Sequence, residues 1–253
     1  MDIYSFAPIA AVLEAAYSVV TGLQHLLDPI AATASAAVAI VLITLVLRLA
    51  LIPVGRSQVR AEFTRRRLAP RLQELQKKHK KNPELLQKKM MELYASEKAS
   101  PLAGILPTLA QAPVLSVVYG LFILPTVNGH PNGLLTEQVF GVPLGASLTH
   151  LLATGAFSLD LLVYAGLLAA IAVVAFASRR VALAFAESAK NKPADDAAPA
   201  MARMNSALSW LPFITVVFAS FVPLAATIYL TVTTTWTLVE RQVLRRRLAP
   251  RAN

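Results

Sequence analysis

Residues 31–54 run AATASAAVAIVLITLVLRLALIPV, a stretch in which Arg48 is the only formal charge. A helix needs about 20 mostly apolar residues to cross the hydrocarbon core of a bilayer, and this segment supplies them. Arg48 lies six residues before Val54. At about 1.5 Å of rise per residue that is roughly 9 Å below the basic end of the segment, in the inner half of a membrane.

The chain outside this stretch repeats the pattern. Four further apolar runs occupy 101–127, 159–178, 205–221 and 224–240. Of the 24 Lys and Arg residues, 13 lie between Arg56 and Lys98, five between Arg179 and Arg203, and five between Arg241 and Arg251, leaving Arg48 alone. Residues 1–47 and 99–178 carry none. Basic residues collect on the cytoplasmic side of membrane proteins, so this partition sets an orientation. The N-terminus and the 128–158 loop are predicted outside, and the 55–100 segment, the 179–204 loop and the 241–253 tail in the cytoplasm. Asp2, Glu14, Asp28, Glu137 and Asp160 are the formal charges expected outside.

Composition excludes the soluble alternatives. The chain is 56% apolar and 15% charged, with a mean hydropathy of +0.56, too apolar for a surface that faces water. It has no cysteine, and so no disulfide, thiolate metal site or thiol nucleophile. His25, His79, His130 and His150 all fall outside the spans, and no His-Glu-x-x-His, Gly-x-Ser-x-Gly or Gly-x-x-x-x-Gly-Lys pattern occurs. The expectation is a polytopic all-α membrane protein that is not an enzyme and uses no cofactor or metal.

Two segments outside the spans carry helical spacing. In 1–30, Phe6, Ile9, Leu13, Tyr17, Val20, Leu23 and Leu27 recur on one side, which predicts an amphipathic helix on the outer interface, with a sixth span as the alternative. In 55–100, Val59, Phe63, Leu72 and Leu75 precede Lys80-Lys81-Asn82-Pro83, and Leu86, Met90, Leu93 and Tyr94 follow. Asn82 can cap a helix and Pro83 can occupy its first position, so a helical hairpin is predicted, with a solvated charged loop as the alternative. Pro193, Asp195, Asp196 and Pro199 mark 187–200 as a linker.

Arg48 is the one chemical anomaly. An arginine near mid-span costs at least about 2.5–3.5 kcal/mol on insertion scales, which favours a polar interior or cavity. Its long stem also allows it to snorkel to the inner headgroups, and the residues alone leave both readings open. No carboxylate lies well inside another span to pair with it. The polar residues available near it are Thr44 one turn earlier, Gln111 in the second span, and Tyr229, Thr233 and Trp236 in the fifth. Gln111 equally fits a helix-to-helix hydrogen bond and Trp236 an interface anchor.

Three stretches taken together resemble the YidC/Oxa/Alb family of membrane protein insertases, in the short bacterial form without a large external domain. The first is Arg48-Leu49-Ala50-Leu51-Ile52-Pro53 with Pro70-Arg71-Leu72-Gln73-Glu74-Leu75-Gln76 and Lys88-Lys89-Met90-Met91-Glu92-Leu93-Tyr94. The second is Ser100-Pro101-Leu102-Ala103-Gly104-Ile105-Leu106-Pro107 with Gln111-Ala112-Pro113 and Tyr119. The third is Pro212-Phe213 with Pro223, Leu224, Tyr229, Thr233 and Trp236. Leu230 stands where many relatives carry tryptophan, and the span at 159–178 has little polarity beyond Tyr164.

The resemblance implies five transmembrane helices enclosing a hydrophilic groove that is open to cytoplasm and lipid, with Arg48 inside it and Thr44, Gln111, Tyr229, Thr233 and Trp236 as candidate lining residues. It implies a bacterial cell-membrane protein whose partners are nascent membrane proteins and the lipid bilayer, with the ribosome and the general secretion translocon as further candidates. Acidic or polar tails of the client would be drawn across and its spans released into lipid. Arg245, Arg246 and Arg247 suit either ribosomal RNA phosphates or anionic lipid. A small channel or transporter, or a scaffold for another membrane complex, are the competing functions; no paired intramembrane charges or repeat symmetry favour the first.

Overall fold

The computed structural model describes residue 4 and residues 6–100, 102–103, 109, 111–153, 159–187 and 207–249. The predicted linker beyond Glu187, residues 205–206, much of 101–111 and the end of the tail at 250–253 lie outside the described residues. The described chain is predominantly helical. In order, its helices are α1 (Ala7–Ala31), α2 (Ser35–Ala50), α3 (Ile52–Lys78), α4 (Pro83–Ser96), α5 (Ala112–Phe122), α6 (Leu148–Ala153), α7 (Leu159–Glu187), α8 (Leu211–Ala219) and α9 (Leu224–Leu248). Between α5 and α6 lie two antiparallel hairpins, β1 (Thr126–Val127) with β2 (His130–Pro131), and β3 (Gln138–Val139) with β4 (Val142–Pro143).

Among the described residues, two segments are long and apolar enough to cross a membrane: Ala7–Ala50, which is interrupted at Ala32–Ala34, and Asp160–Phe185. The helix α5 is apolar but shorter. Boundaries differ from expectation in two places. The 31–54 run forms α2 only over Ser35–Ala50, because Pro29 weakens the end of α1 and Ala32 takes a left-handed φ of 44° that redirects the chain. The helix at 159 does not end at Ser178 but continues to Glu187, since Arg179 to Phe185 holds no helix breaker. Pro70 lies inside α3, which runs to Lys78 just before the predicted Lys80–Pro83 break.

The chain divides into two compact units, the first drawn from Met1–Leu49 and Pro113–Leu238, the second from Ala50–Ala112 and Val239–Asn253. In the first unit, the apolar stripe predicted for 1–30 turns toward the protein. Leu13 and Val20 are fully buried, and Tyr17, Leu23 and Leu27 pack on the same core as Ile40, Phe122 and Leu224. A second apolar line on α1, with Val12, Val19, Leu26 and Ile30, is exposed.

The loop after α5, predicted as an external loop at 128–158, carries two hairpins. Asn128 and Gly129 both have positive φ, as do Phe140 and Gly141, which is the pair of conformations that closes a two-residue hairpin. Asn132 is buried and uses its amide as a plug: Nδ2 donates to the carbonyls of Leu121 and Leu124 at 2.8 and 2.9 Å, past the last turn of α5, and Oδ1 accepts from the Leu134 amide. Carbonyls orphaned at a helix end are thereby satisfied. The loop returns the favour to α9, whose first amides, Leu224 and Ala225, donate to the carbonyls of Ala146 and Leu144 at 2.8 and 2.9 Å. The fully buried Tyr164 of α7 places its hydroxyl 2.6 Å from the Ala146 carbonyl and 3.0 Å from that of Val222. One buried knot therefore joins the loop, α7 and the α8–α9 connection.

The loop also holds α1. Glu14 accepts from Asn128 Nδ2 at 2.8 Å and lies 3.2 Å from His130 Nε2, while the Tyr17 hydroxyl accepts from the Gly133 amide. These bonds supply the partner that Glu14 needs beside apolar surface. The bond from Asn128, then that from His130, holds the Glu14 carboxyl below its ordinary range, and Glu14 holds the His130 imidazole above its own.

In the second unit, α3 and α4 are joined across a short turn. Asn82 Oδ1 accepts from the Leu85 amide at 3.0 Å with Pro83 in the first turn, as the sequence predicts. Glu97 pairs with Arg67 at 3.1 Å and with Arg71, linking the end of α4 back to α3. Val59, Ala61, Leu68 and Leu244 form the buried side.

Removing the Tyr164 hydroxyl leaves the ring in place but strips the knot of a bond, so Tyr164→Phe is expected to cost about 1–2 kcal/mol, read as a lowered thermal midpoint in detergent. An unchanged midpoint would mean that the knot does not need this hydroxyl. The Glu14–His130 tie has a defined pH window. A lowered carboxyl contributes fully above its ordinary 4.5 and is lost on acidification, and a raised imidazole contributes fully below its ordinary 6.5 and is lost as pH rises through its folded value. Intrinsic-rate-corrected hydrogen exchange of α1 is expected to be slowest near about pH 5.5 and to speed up toward alkaline pH, and His130→Gln should abolish that alkaline acceleration.

Candidate functional site

The residues that the sequence groups around Arg48 divide between the two units. Thr44, Arg48, Tyr229, Thr233 and Trp236 lie in the first, and Gln111, half-buried in the turn before α5, lies in the second.

On α2, Arg48 is half-exposed at the end of the helix, beside Leu45, Leu47 and Leu49. Among the described residues it makes no ion pair and no hydrogen bond. Position explains this: the charge emerges from an apolar helix with no acidic residue within a turn on either side. Thr44, one turn earlier, does not share its setting. It is completely buried and its hydroxyl donates to the Ile40 carbonyl at 2.6 Å. A buried hydroxyl in an apolar helix takes the nearest free lone pair, which is the carbonyl four residues back.

On α9, Tyr229, Thr233 and Trp236 follow at i, i+4 and i+7, a spacing that puts them along one side of a helix. Tyr229 is half-buried with its ring 5.9 Å from that of Phe122. Thr233 differs from its neighbours. The hydroxyls of Thr231, Thr234, Thr235 and Thr237 each donate to the carbonyl four residues earlier at 2.7–2.8 Å. The Thr233 hydroxyl is buried and has no hydrogen-bond partner among the described residues. An unsatisfied buried hydroxyl costs about 1–3 kcal/mol, so a threonine that forgoes the local bond beside four that take it marks a place where another polar group is wanted. No hydrogen bond joins Arg48 to any of these side chains.

The basic end of α9 is also not uniform. Arg245, expected with Arg246 and Arg247 to meet phosphates, is largely buried and forks onto Glu62 of α3, Nη2 to Oε1 at 2.6 Å and Nε to Oε2 at 3.2 Å. It is a structural clasp, because a planar guanidinium matches a carboxylate along two parallel bonds. Arg246 and Arg247 are exposed and remain available. Sequence reasoning missed this clasp and the Tyr164 knot, since each joins residues distant in the chain; the Asn128-Gly129 pair was a readable hairpin signal.

The family described as 60Kd inner membrane protein matches residues 29–251, nearly the whole chain. A membrane protein insertase YidC from Clostridium perfringens is 35% identical over 115 residues, 46% of this chain and 48% of that protein. One from Alkalilimnicola ehrlichii is 40% identical over 86 residues, 34% of this chain and 15% of that protein. The inner membrane ALBINO3-like protein 2 of the Chlamydomonas reinhardtii chloroplast is 38% identical over 112 residues, 44% of this chain and 26% of that protein. The matched segments thus span about half the length of these curated relatives or less.

Glu62→Gln keeps the shape of the clasp but halves its charge, and the expected cost is about 1 kcal/mol for a partly buried bidentate pair. Hydrogen exchange should rise in α3 around Glu62 and in the last turns of α9, with little change at Asn82 and Leu85. Equal rates in both proteins would show that Arg245 is not held by Glu62 in solution.

Proposed function

The chain belongs to the 60Kd inner membrane protein family, and from that premise we propose that it is a membrane protein insertase of a bacterial cell membrane. In this reading the five apolar segments of the sequence all cross the bilayer, α1 lies on the outer interface, α3 and α4 form a cytoplasmic hairpin, and the tail is cytoplasmic. Its partners are nascent membrane proteins and lipid, with the ribosome and the general secretion translocon as the supply route.

The observation that carries the proposal is Arg48: a permanent positive charge in an apolar helix that no described side chain neutralises. In hydrocarbon such a group is kept only where it is hydrated or where a mobile counter-charge arrives. A client with a short acidic external tail brings that counter-charge. Crossing lipid alone would leave each backbone amide of the tail unsatisfied at several kcal/mol apiece, and a polar groove reaching part of the way removes part of that barrier. Arg48 attracts the tail's carboxylates. The attraction is stronger than in water because the surroundings are less polarisable, and weak enough to release once the client's own apolar span partitions into lipid.

Thr233 supplies the second element. Its buried, unpartnered hydroxyl and the neighbouring Tyr229 and Trp236 give α9 a polar line able to bond successive backbone groups of a passing segment. Gln111 is assigned the same role. Thr44, one turn before Arg48 on α2, is assigned to the same groove with its hydroxyl held on the Ile40 carbonyl. The exposed Arg246 and Arg247 attract phosphate of ribosomal RNA or of lipid without reading sequence. No nucleotide is consumed, and burial of the client's apolar span drives the reaction to completion.

Liposomes containing this protein alone, presented with a single-span client bearing an acidic external tail, test the reading. Native protein and Arg48→Lys should insert the client, while Arg48→Ala should lower insertion about tenfold for acidic tails and little for neutral ones, a loss equivalent to about 1.4 kcal/mol of attraction. A channel or transporter would instead conduct ions through the same liposomes, and a scaffold would be indifferent to the substitution. Equal insertion by all three proteins would reject charge capture.

A further inference from the structure

We propose that Arg179 and Arg180, with Trp210 and Phe176, bind the phosphate of an anionic phospholipid headgroup. The inference begins with α7, in which Leu161 to Ser178 contains no charge and two arginines then follow at once. Neither makes an ion pair or a hydrogen bond among the described residues. Each instead lies over an aromatic ring. Arg179 Cζ is 4.4 Å from the ring centre of Trp210, the residue preceding α8, and Arg180 Cζ is 4.7 Å from that of Phe176, one turn back on α7.

A guanidinium held against an aromatic face is fixed in plane while its N–H edge stays free, and that edge matches two oxygens of a phosphate. Fixing the group in advance lowers the ordering cost of binding. The Arg179 Nε is the second observation: it is buried, and no described atom accepts its proton. A buried, ionised donor without an acceptor is costly, and an oxyanion docking against the edge that carries Nε satisfies it. No carboxylate side chain among the described residues competes for that edge, since Arg179 has no acidic partner.

The surroundings select a lipid over a free anion. Val173, Phe176, Ile214, Val217 and Phe218 are between 45% and 69% exposed, so the ground beside the arginines is apolar on both α7 and α8. An inorganic phosphate gains nothing from that surface. A phospholipid places its acyl chains along it while its phosphate meets the guanidinium, which is the arrangement expected where an apolar band ends in basic residues. Arg180 adds a second positive charge about a quarter-turn around the helix and favours a headgroup with net negative charge. The proposal requires that α7 crosses the bilayer and is independent of insertase activity.

Native mass spectrometry of the full chain in neutral detergent, with phosphatidylglycerol, phosphatidylcholine or inorganic phosphate added, is the test. Phosphatidylglycerol should bind about tenfold more tightly than phosphatidylcholine, and Arg179→Gln/Arg180→Gln should erase that preference. Trp210→Leu, which keeps both charges and removes the platform, should weaken it several-fold. Arg179→Lys/Arg180→Lys, which conserves charge and is the safer variant for folding, should bind more weakly than native. Unchanged phosphatidylglycerol affinity in the lysine or glutamine variant would overturn the proposal. So would inorganic phosphate that displaces the lipid at equal concentration.

Discussion

A backbone amide or carbonyl removed from water must find a partner within the protein, and the hydrogen bonds around Ala146 meet that demand where several elements end together. The Ala146 carbonyl accepts from the first amide of α9 and lies within bonding distance of the Tyr164 hydroxyl, while Leu144 receives the next amide. Helix starts leave amides orphaned, and here a folded loop supplies the acceptors that water would supply elsewhere. The same loop closes the end of α5 through Asn132 and holds α1 through Asn128 and His130. Its two small hairpins are therefore not ornament on a connection: with the residues that follow, they aim side-chain amides and backbone carbonyls at the end of α5, the start of α9 and the side of α1.

Against that background of satisfied groups, the exceptions become informative. Among the described residues Arg48 has no counter-charge, and Thr233 has no acceptor although Thr231, Thr234, Thr235 and Thr237 on the same helix all have one. In the proposed reading, the Arg48 charge and the Thr233 hydroxyl are left open for a polar group that comes from outside the protein. The proposed insertion mechanism needs no more chemistry than this. Attraction brings a tail to the charge, hydrogen bonding shelters it, and apolar burial of the following span ends the encounter.

Basic residues in this chain serve several different physical tasks, and count alone does not separate them. Arg245 clasps Glu62, Arg67 and Arg71 hold Glu97, and Arg179 and Arg180 rest on aromatic rings. Arg246 and Arg247 point to solvent. The differences follow from what each side chain finds within reach: a carboxylate, a ring face or water. Charge asymmetry along the chain is consistent with every one of these fates.

What could be read from the residues in order was whatever depends on neighbours in the chain. Apolar runs, the separation of basic from uncharged segments, the Asn82 cap with Pro83, and the isolation of Arg48 are all local patterns, and local patterns report helix formation and membrane preference directly. The family match over 29–251 agrees with the resemblance that those stretches carry. The burial of Thr44, the use of Tyr164 as a pin, the Arg245–Glu62 clasp and the missing bond of Thr233 needed the folded chain. Each is settled by a contact between residues tens to nearly two hundred positions apart, or by the competition of one hydroxyl between its own helix and a neighbour. No periodicity encodes such a contact, because its energy depends on distance in space and not on distance along the sequence.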